Sequence, residues 1–220
     1  MDDHRGFKDR IYAEFARVGQ ALANEKRLEL IDLLAQAPRH VDALAQESGM
    51  SVANVSQHLQ VLRDVHLVTP QKEGTRVVYR LAGLDVIGLW LSLRSVGEER
   101  LAEVRRIVED SGPASSLNEE LPRADLDGLL ASGRAILLDV RPRLEFESGH
   151  LPGAVSIPLN ELMDRLSELP RDKLVITYCR GAYCLFADEA LVLLRQHGYN
   201  ARRLEGGWPE WLSEGRDVST

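Results

Sequence analysis

The patterning of this chain changes at one short segment, and the change limits what each side can fold into. Residues 109–116 form a small, polar, proline-bearing run that is typical of a linker. Before this run, apolar residues recur mostly at helical spacing, and after it short apolar strand patterns alternate with helical ones. The sequence therefore predicts two domains, at residues 1–110 and 118–220, joined by a linker at residues 111–117.

Composition restricts the class of protein. The sequence has the composition of an ordinary soluble protein, and it contains no apolar run near the roughly 20 residues that cross a bilayer. The polar first residues do not resemble a secretory signal, so we expect a cytoplasmic protein with no membrane partner. The net charge of −7 does not favour nucleic acid, so any DNA contact must come from a local face.

Two short helices joined by a tight turn are predicted in the first domain. Residues 41–49 form a helical pattern that ends at Gly49, and Ser51 stands at the N-cap position of a second helix at residues 52–65. Two short helices with a glycine turn between them are the pattern of a helix-turn-helix. The other predicted elements here are helices at 7–23, 28–34 and 84–108 and a hairpin of strands at 67–71 and 76–81.

The same stretch resembles the winged helix-turn-helix of the ArsR family of regulators. Ser-Gln-His-Leu at residues 56–59 matches the Ser-x-His-Leu core of that family, and residues 73–79 are similar to its wing. His66 departs from the pattern, because a glycine is usual there. The resemblance covers residues 7–110 and implies a homodimer, built by the first and last helices, on a palindromic double-stranded operator.

The polar face of the second helix and the wing supply candidate DNA contacts. Val55, Leu59 and Leu62 share one face that would anchor the helix to the core. Asn and Gln side chains bridge adenine edges, Ser reaches a base or a phosphate, and a basic wing suits phosphates or the minor groove. The alternative is that these are only solvated polar positions. The predicted contacts are Ser51, Asn54, Ser56, Gln57, His58, Lys72, Thr75 and Arg76.

The metal sites that the resemblance implies are not matched by this sequence. Family members often bind metal through cysteines in the first helix of the motif or through His and Asp in the last helix. Here residues 41–48 contain no cysteine and residues 84–108 contain no histidine. We therefore predict no metal site and no cofactor.

The most informative pattern in the second domain is a predicted strand that leads directly into a cysteine. Residues 174–178 form an apolar strand pattern, a glycine-bearing loop begins at Cys179, and a helical pattern follows at 185–197. Loop amides and a helix N-terminus near Cys179 would lower its thiol pKa and stabilise a thiolate. Both cysteines of the chain lie in this loop, which in a cytosolic protein indicates chemistry. Further strands at 135–140 and 155–157 and a helix at 160–169 predict a parallel α/β sheet with helices on both faces.

Four separated pieces of residues 117–218 resemble a rhodanese domain. They are residues 138–146, residues 149–154, the loop from Cys179, and residues 204–211. The resemblance implies transfer of sulfane sulfur through a persulfide on Cys179, with thiosulfate, a persulfide or a polysulfide as the small donor. It also makes Cys184 a departure, because the family often has a small residue there. The expected fold is thus a mainly α winged helix-turn-helix followed by an α/β rhodanese-like domain with a central parallel sheet.

The loop and the strand ends beside it supply the candidate catalytic residues. Asp139 and Arg141 follow a strand at the carboxyl edge of the sheet, where open α/β sheets place their sites. Cys184 either packs as a small side chain or resolves a persulfide on Cys179, and the sequence leaves both interpretations open. The predicted set is Cys179, Arg180, Cys184, Asp139 and Arg141, with Gly181, Ala182 and Tyr183 as the persulfide-cradling loop.

Three functional hypotheses follow from the two halves. The first is a dimeric DNA-binding regulator, expected to repress, whose rhodanese domain senses or transfers sulfane sulfur so that persulfidation biases its DNA affinity. The alternative is a working sulfurtransferase that uses the helix-turn-helix for localisation or dimerisation. The third is oxyanion chemistry such as arsenate reduction, which the short loop of residues 179–184 disfavours. Whether the chain is an enzyme therefore stays open at the level of sequence.

Overall fold

The structure is a computed structural model that describes residues 2–111 and 120–220. It divides into two compact units, Met1–Trp90 and Leu91–Thr220, which are described separately below. The linker predicted at residues 111–117 lies, apart from Ser111 at the end of a helix, outside the described residues. The predicted domain limits therefore stay a prediction. None of the helices in the described ranges is long and apolar enough to cross a membrane.

Helices dominate the first unit, as predicted. A buried cluster that includes Leu30, Leu44, Val55, Leu59 and Leu62 forms its core. The strands form an antiparallel sheet of order β1-β3-β2. The elements are α1 (Asp2–Leu22), α2 (Glu25–Gln36), β1 (Arg39–His40), α3 (Val41–Ser48), α4 (Val52–Asp64), β2 (Val68–Glu73), β3 (Arg76–Leu81) and the start of α5 (Leu84–Arg100).

The helix-turn-helix is defined by its capping residues. Gly49 ends α3 with a φ of 66°, a left-handed conformation that glycine adopts without strain. The Ser51 hydroxyl then accepts a hydrogen bond from the Asn54 amide at 3.2 Å and begins α4. The predicted apolar face of α4 is confirmed, because Val55, Leu59 and Leu62 have no exposed surface. The turn and the anchoring of α4 therefore follow directly from the sequence.

The departure at His66 has a structural counterpart. His66 follows α4 with a φ of 57°, a left-handed conformation. Such a φ is unusual for a residue with a side chain, although histidine tolerates it better than a β-branched residue. Because the adjoining Leu67 and Val68 are buried and lead into β2, the chain keeps this turn without a glycine.

The predicted helix at 84–108 is wrong in one respect. The structure interrupts it at Leu101 and forms α5 and then α6 (Ala102–Ser111). The Leu101 amide still donates to the Gly97 carbonyl at 2.9 Å, and a new turn starts where the Val104 amide donates to the Leu101 carbonyl at 3.1 Å. Gly97 is a poor helix former, which helps the helix to end in this turn.

The second unit has a four-stranded parallel sheet of order β5-β4-β6-β7, which confirms the predicted class. Its helices lie on both faces of this sheet, because neighbouring strand residues enter different cores: Leu138 packs with Leu162 and Leu191. Leu137 packs instead with Leu126 and Trp208. The elements are α7 (Arg123–Ala131), β4 (Ala135–Asp139), α8 (Arg143–Ser148), β5 (Ala154–Ser156), α9 (Leu159–Arg165), a 3₁₀ turn (Leu166–Glu168), β6 (Leu174–Tyr178), α10 (Leu185–Gln196), β7 (Ala201–Arg203) and α11 (Trp208–Ser213).

The sheet register brings the candidate residues to one edge. Asp139 and Tyr178, the last residues of β4 and β6, lie opposite each other. In the neighbouring pair, Thr177 of β6 lies opposite Arg203 at the end of β7. The chain segments that leave these three strands therefore emerge together at the carboxyl edge, where parallel sheets place their sites.

Candidate active site and nucleic-acid interface

The two cysteines of the loop are joined to each other. A disulfide links Cys179 and Cys184, whose Cα atoms lie 6.3 Å apart. Cys179 is 1% exposed, whereas Cys184 is partly exposed at the residue before α10. The structure thus brings the two predicted cysteines into bonding contact. The role of Cys184 as a resolving thiol stays a prediction.

A buried arginine fixes the orientation of the loop backbone. One guanidinium nitrogen of Arg203 donates to the Gly181 carbonyl at 3.0 Å and to the Ala182 carbonyl at 2.9 Å. Its other terminal nitrogen binds both carboxylate oxygens of Asp188 at 2.9 and 2.8 Å. Arg203 is only 1% exposed, so this ion pair is shielded from solvent.

Holding two carbonyls also orients two amides. In a trans peptide the N–H points opposite to the C=O, so the amides of Ala182 and Tyr183 face away from Arg203. Within the described ranges, neither amide donates to a backbone carbonyl. Successive uncommitted amides of this kind bind an anion, which is what a persulfide or thiolate sulfur would be.

Space for the loop depends on Gly207. A Cβ atom at Gly207 would lie 2.4 Å from both the Cys179 carbonyl oxygen and the Gly181 amide nitrogen. Its φ of −170° is extended, so glycine is required here for room and not for conformation. The next amide, that of Trp208, donates to the Cys179 carbonyl at 3.1 Å. The segment before α11 therefore packs directly against the backbone of the cysteine loop.

Arg180 is committed to a buried partner. Its guanidinium pairs with Glu145 of α8, with 3.1 Å between Arg180 Nε and Glu145 Oε2. Glu145 has no exposed surface, while the Arg180 side chain is 20% exposed. The pair fastens the start of the loop to α8. The predicted contact of Arg180 with a sulfur donor stays untested.

Asp139 and Arg141 lie beneath the loop and are fully buried. Arg141 Nη2 lies 2.7 Å from Asp139 Oδ2 and donates to the Gly149 carbonyl at 2.8 Å. The Tyr178 hydroxyl also donates to Asp139, and burial together with this carboxylate raises the pKa of Tyr178. These contacts brace the strand ends. Asp139 and Arg141, predicted as catalytic residues, therefore hold the backbone of the strand ends in place, and neither side chain is exposed to solvent.

Charged residues that sequence reasoning missed line another side of the loop. Within the second unit, Arg94 of α5 pairs with Glu210 of α11 and lies 3.2 Å from Glu98. A Cβ atom at Gly181 would lie 3.4 Å from the Glu210 carboxylate, so this negative charge is beside the loop. The Tyr183 hydroxyl donates to Glu98 at 2.6 Å. Burial and this contact raise the pKa of Tyr183.

The residues that sequence reasoning missed differ in how clearly the sequence marks them as part of the candidate site. Arg203 carries a weak signal, because it stands between the charged Arg202 and the apolar Leu204 at the end of a short strand. Arg94 and Glu98 show only their own i,i+4 spacing in α5, because their partners near the loop are 116 and 85 positions away. The residues concerned are Arg94, Glu98, Asp188, Arg203 and Glu210.

The predicted DNA contacts lie on the polar side of α4 and on the wing. Asn54 and Gln57 of α4 and Lys72 of the wing are exposed, and His58 is partly exposed. The Ser51 hydroxyl caps α4, and the Ser56 hydroxyl donates to the Val52 carbonyl at 2.8 Å. Thr75 and Arg76 are exposed at the turn of the hairpin. The arrangement leaves this face of α4 accessible, and contact with DNA stays a prediction.

The two units define a class: a winged helix-turn-helix joined to a parallel α/β domain with a cysteine loop at its sheet edge. The model of the bacterial regulatory protein arsR family matches residues 24–69, and that of the rhodanese-like domain matches residues 123–214. The HTH-type transcriptional regulator Rv0324 of Mycobacterium tuberculosis is 43% identical over 205 residues, which are 93% of this chain and 90% of that protein. The chain belongs to the ArsR family of bacterial transcriptional regulators, in a form that carries a rhodanese-like domain.

Two further comparisons concern single parts of the chain. A tRNA uridine(34) hydroxylase of Erwinia tasmaniensis is 29% identical over 140 residues, which are 60% of this chain but only 39% of that enzyme. Among solved structures, the homodimeric winged helix-turn-helix DNA-binding domain Mb0332 of Mycobacterium bovis is 44% identical. It covers 44% of this chain and 89% of its own, with a TM-score of 0.42.

Proposed function

We propose that this regulator is a cytoplasmic homodimer that binds a palindromic operator through α4 and the wing, represses transcription, and senses sulfane sulfur at Cys179. One observation carries the sulfur proposal: the only two cysteines of the chain meet in a loop whose Gly181 and Ala182 carbonyls are held by Arg203. The helix-turn-helix unit has no cysteine of its own. Sensing thus depends on the second unit.

The proposed chemistry needs only the donor and the two cysteines. In the reduced protein, the Cys179 thiolate attacks the outer sulfur of a persulfide donor, which forms a Cys179 persulfide and releases the donor thiolate. The loop amides stabilise the negative terminal sulfur. The Cys184 thiolate then attacks the Cys179 sulfur, which forms the disulfide and releases hydrosulfide. Each step breaks one S–S bond and forms another in exchange, so no other oxidant is required.

Dimer formation is proposed through the exposed apolar face of α1. Phe7, Ile11 and Phe15 are spaced so that they share one side of this helix, and they are 57%, 39% and 66% exposed. Apolar side chains grouped in this way favour association with a second surface. A two-fold dimer would present two copies of α4 to successive major grooves.

Intact mass measurement tests the sulfur proposal. Reduced wild-type protein treated with a persulfide donor should gain about 32 Da for each added sulfur and then lose it as the disulfide forms. Cys184→Ser should hold the added sulfur longer, because no thiol displaces it, and Cys179→Ser should gain none. Equal sulfur uptake by Cys179→Ser and the wild type would contradict the proposal.

A second function is favoured by the match to the rhodanese-like domain over residues 123–214. If the chain is a working sulfurtransferase, it should transfer sulfur from thiosulfate to cyanide in many turnovers, and Cys179→Ala should abolish this activity. A sensor loads its sulfur and turns over poorly. Sustained turnover with no effect of sulfur on DNA affinity would favour the enzyme.

A further inference from the structure

The oxidised loop has one inner and one outer sulfur. Cys179 is 1% exposed, whereas Cys184 is partly exposed. The neighbours of Cys184 in the chain, Tyr183 and Leu185, are 43% and 47% exposed, so this end of the disulfide is more accessible than Cys179. A small nucleophile in solution therefore meets the Cys184 sulfur first.

Attack on the outer sulfur of Cys184 makes the inner cysteine, Cys179, the leaving thiolate. Thiol–disulfide exchange depends on which sulfur is attacked, and it is faster when the departing thiolate is stabilised. When Cys184 is attacked, Cys179 departs at the start of the loop whose Gly181 and Ala182 carbonyls are held by Arg203, so that the Ala182 and Tyr183 amides face away from Arg203. The Cys184 amide is less free to assist the opposite reaction, because it donates to the Gly181 carbonyl at 3.2 Å.

We infer that the oxidised pair accepts hydrosulfide at Cys184, with Cys179 as the leaving thiolate, so that sulfane sulfur enters on the opposite cysteine from the one used by the reduced protein. The inference rests on the proposed sulfur chemistry and extends it to a second substrate class. Hydrosulfide attacks the Cys184 sulfur, the Cys179–Cys184 bond breaks, and a Cys184 persulfide forms. The hydrosulfide sulfur is oxidised to the sulfane level while the disulfide is reduced, so the electrons balance within the loop.

The sequence provides a direct way to locate the added sulfur. Arg180 lies between the two cysteines, so trypsin separates them into peptides 174–180 and 181–195, bounded by Lys173, Arg180 and Arg195. Oxidised full-length protein is exposed to a brief pulse of sodium sulfide, alkylated with iodoacetamide, digested without reductant and analysed by mass spectrometry. The alkylating agent caps a persulfide and a thiolate in distinguishable forms, about 32 Da apart.

At the earliest times we expect the added sulfur on peptide 181–195 to exceed that on peptide 174–180 by at least about tenfold. Peptide 174–180 should carry a simple alkylated Cys179. The same pulse with 2-mercaptoethanol should place its mixed disulfide on Cys184, because this thiol reports the attacked sulfur without transferring one. Cys184→Ala, which cannot form the disulfide, should gain no sulfur from sulfide and controls for polysulfide in the reagent.

Added sulfur that appears first on peptide 174–180 would overturn the inference, and so would oxidised protein that takes up none from sulfide. These outcomes are distinct from failure of the proposed function. The proposed function fails if reduced wild-type protein gains no sulfur at Cys179 from a persulfide donor, which is measured in a separate reaction on the same two peptides.

Discussion

Arg203 determines which way two peptide units of the cysteine loop face. Arg203 is buried, and its planar guanidinium group binds Asp188 and donates to the carbonyls of Gly181 and Ala182 at the same time. The sequence predicts the loop itself, because strand, cysteine, glycine and helix follow one another directly at residues 174–185. It does not predict Arg203 as a partner, because that contact depends on the register of β6 with β7.

Replacing Arg203 tests this role. In Arg203→Met, the buried Asp188 carboxylate loses its ion pair with Arg203, so urea denaturation should show a loss of about 3–5 kcal/mol in the free energy of unfolding. The loop carbonyls are also released, so iodoacetamide should alkylate Cys179 of the reduced protein more slowly. Arg202→Met, at the neighbouring and less buried position, is the control.

The double variant Asp188→Leu, Arg203→Met separates loop orientation from stability. Removing both charges of this ion pair should restore much of the lost free energy of unfolding, since Asp188 no longer needs Arg203 as a counter-charge. Alkylation of Cys179 should stay slow, because the carbonyls are still unheld. Recovery of the alkylation rate along with stability would show that Arg203 acts only on stability.

Tyr178 and Tyr183 make the free energy of unfolding of the second unit depend on pH in the alkaline range. Burial raises the pKa of both phenols, and the carboxylates of Asp139 and Glu98 raise them further. Because the folded protein holds these protons more tightly than the unfolded chain, their contribution is complete below about pH 10 and is lost as the pH rises through the folded values. Unfolding free energies measured across this range should fall less steeply in Tyr183→Phe. Tyr12→Phe, at a position 66% exposed, should follow the wild type.

At the scale of elements, α5 contributes charges to the wall of the loop. The Glu210 carboxylate beside Gly181 disfavours an anion in the loop, and Arg94 offsets that charge. Sequence periodicity predicts α5 as a helix, but it says nothing about a partner 116 positions away. It also misses α7, α8 and α11, because six to nine residues show too little periodicity to be distinguished from a loop.

Arg94→Gln tests the balance of charge. With Glu210 no longer offset, the thiolate fraction at Cys179 should fall, and alkylation at neutral pH should slow several-fold. The measurement is made in a Cys184→Ser background so that one thiol reacts. Arg94→Gln, Glu210→Gln should recover the rate because both charges are gone, and Arg100→Gln, in the last turn of α5, should match the parent. A double variant as slow as Arg94→Gln would contradict the electrostatic account.

At the scale of the whole molecule, the two halves differ in what their sequences reveal. The helix-turn-helix is recognisable because local signals, such as Gly49 as a helix end and Ser51 as a cap, agree with the buried face of α4. The proposed sulfur site is recognisable only in part, since both cysteines lie in one loop of the sequence while the charges that support this loop come from distant elements. Because the net charge is −7, DNA binding must use a local face of the molecule, and we propose α4 and the wing as that face.

The central claim is that sulfur on Cys179 changes the affinity of the regulator for DNA. Operator affinity is measured by fluorescence anisotropy at one salt concentration, on a duplex selected from a random library, before and after treatment with a persulfide donor. The account predicts a change of about 5–150-fold for the wild type, the usual range of coupling between two sites, and none for Cys179→Ser. Unchanged affinity in Cys184→Ser, which keeps the added sulfur, in protein whose mass confirms sulfur addition would contradict it.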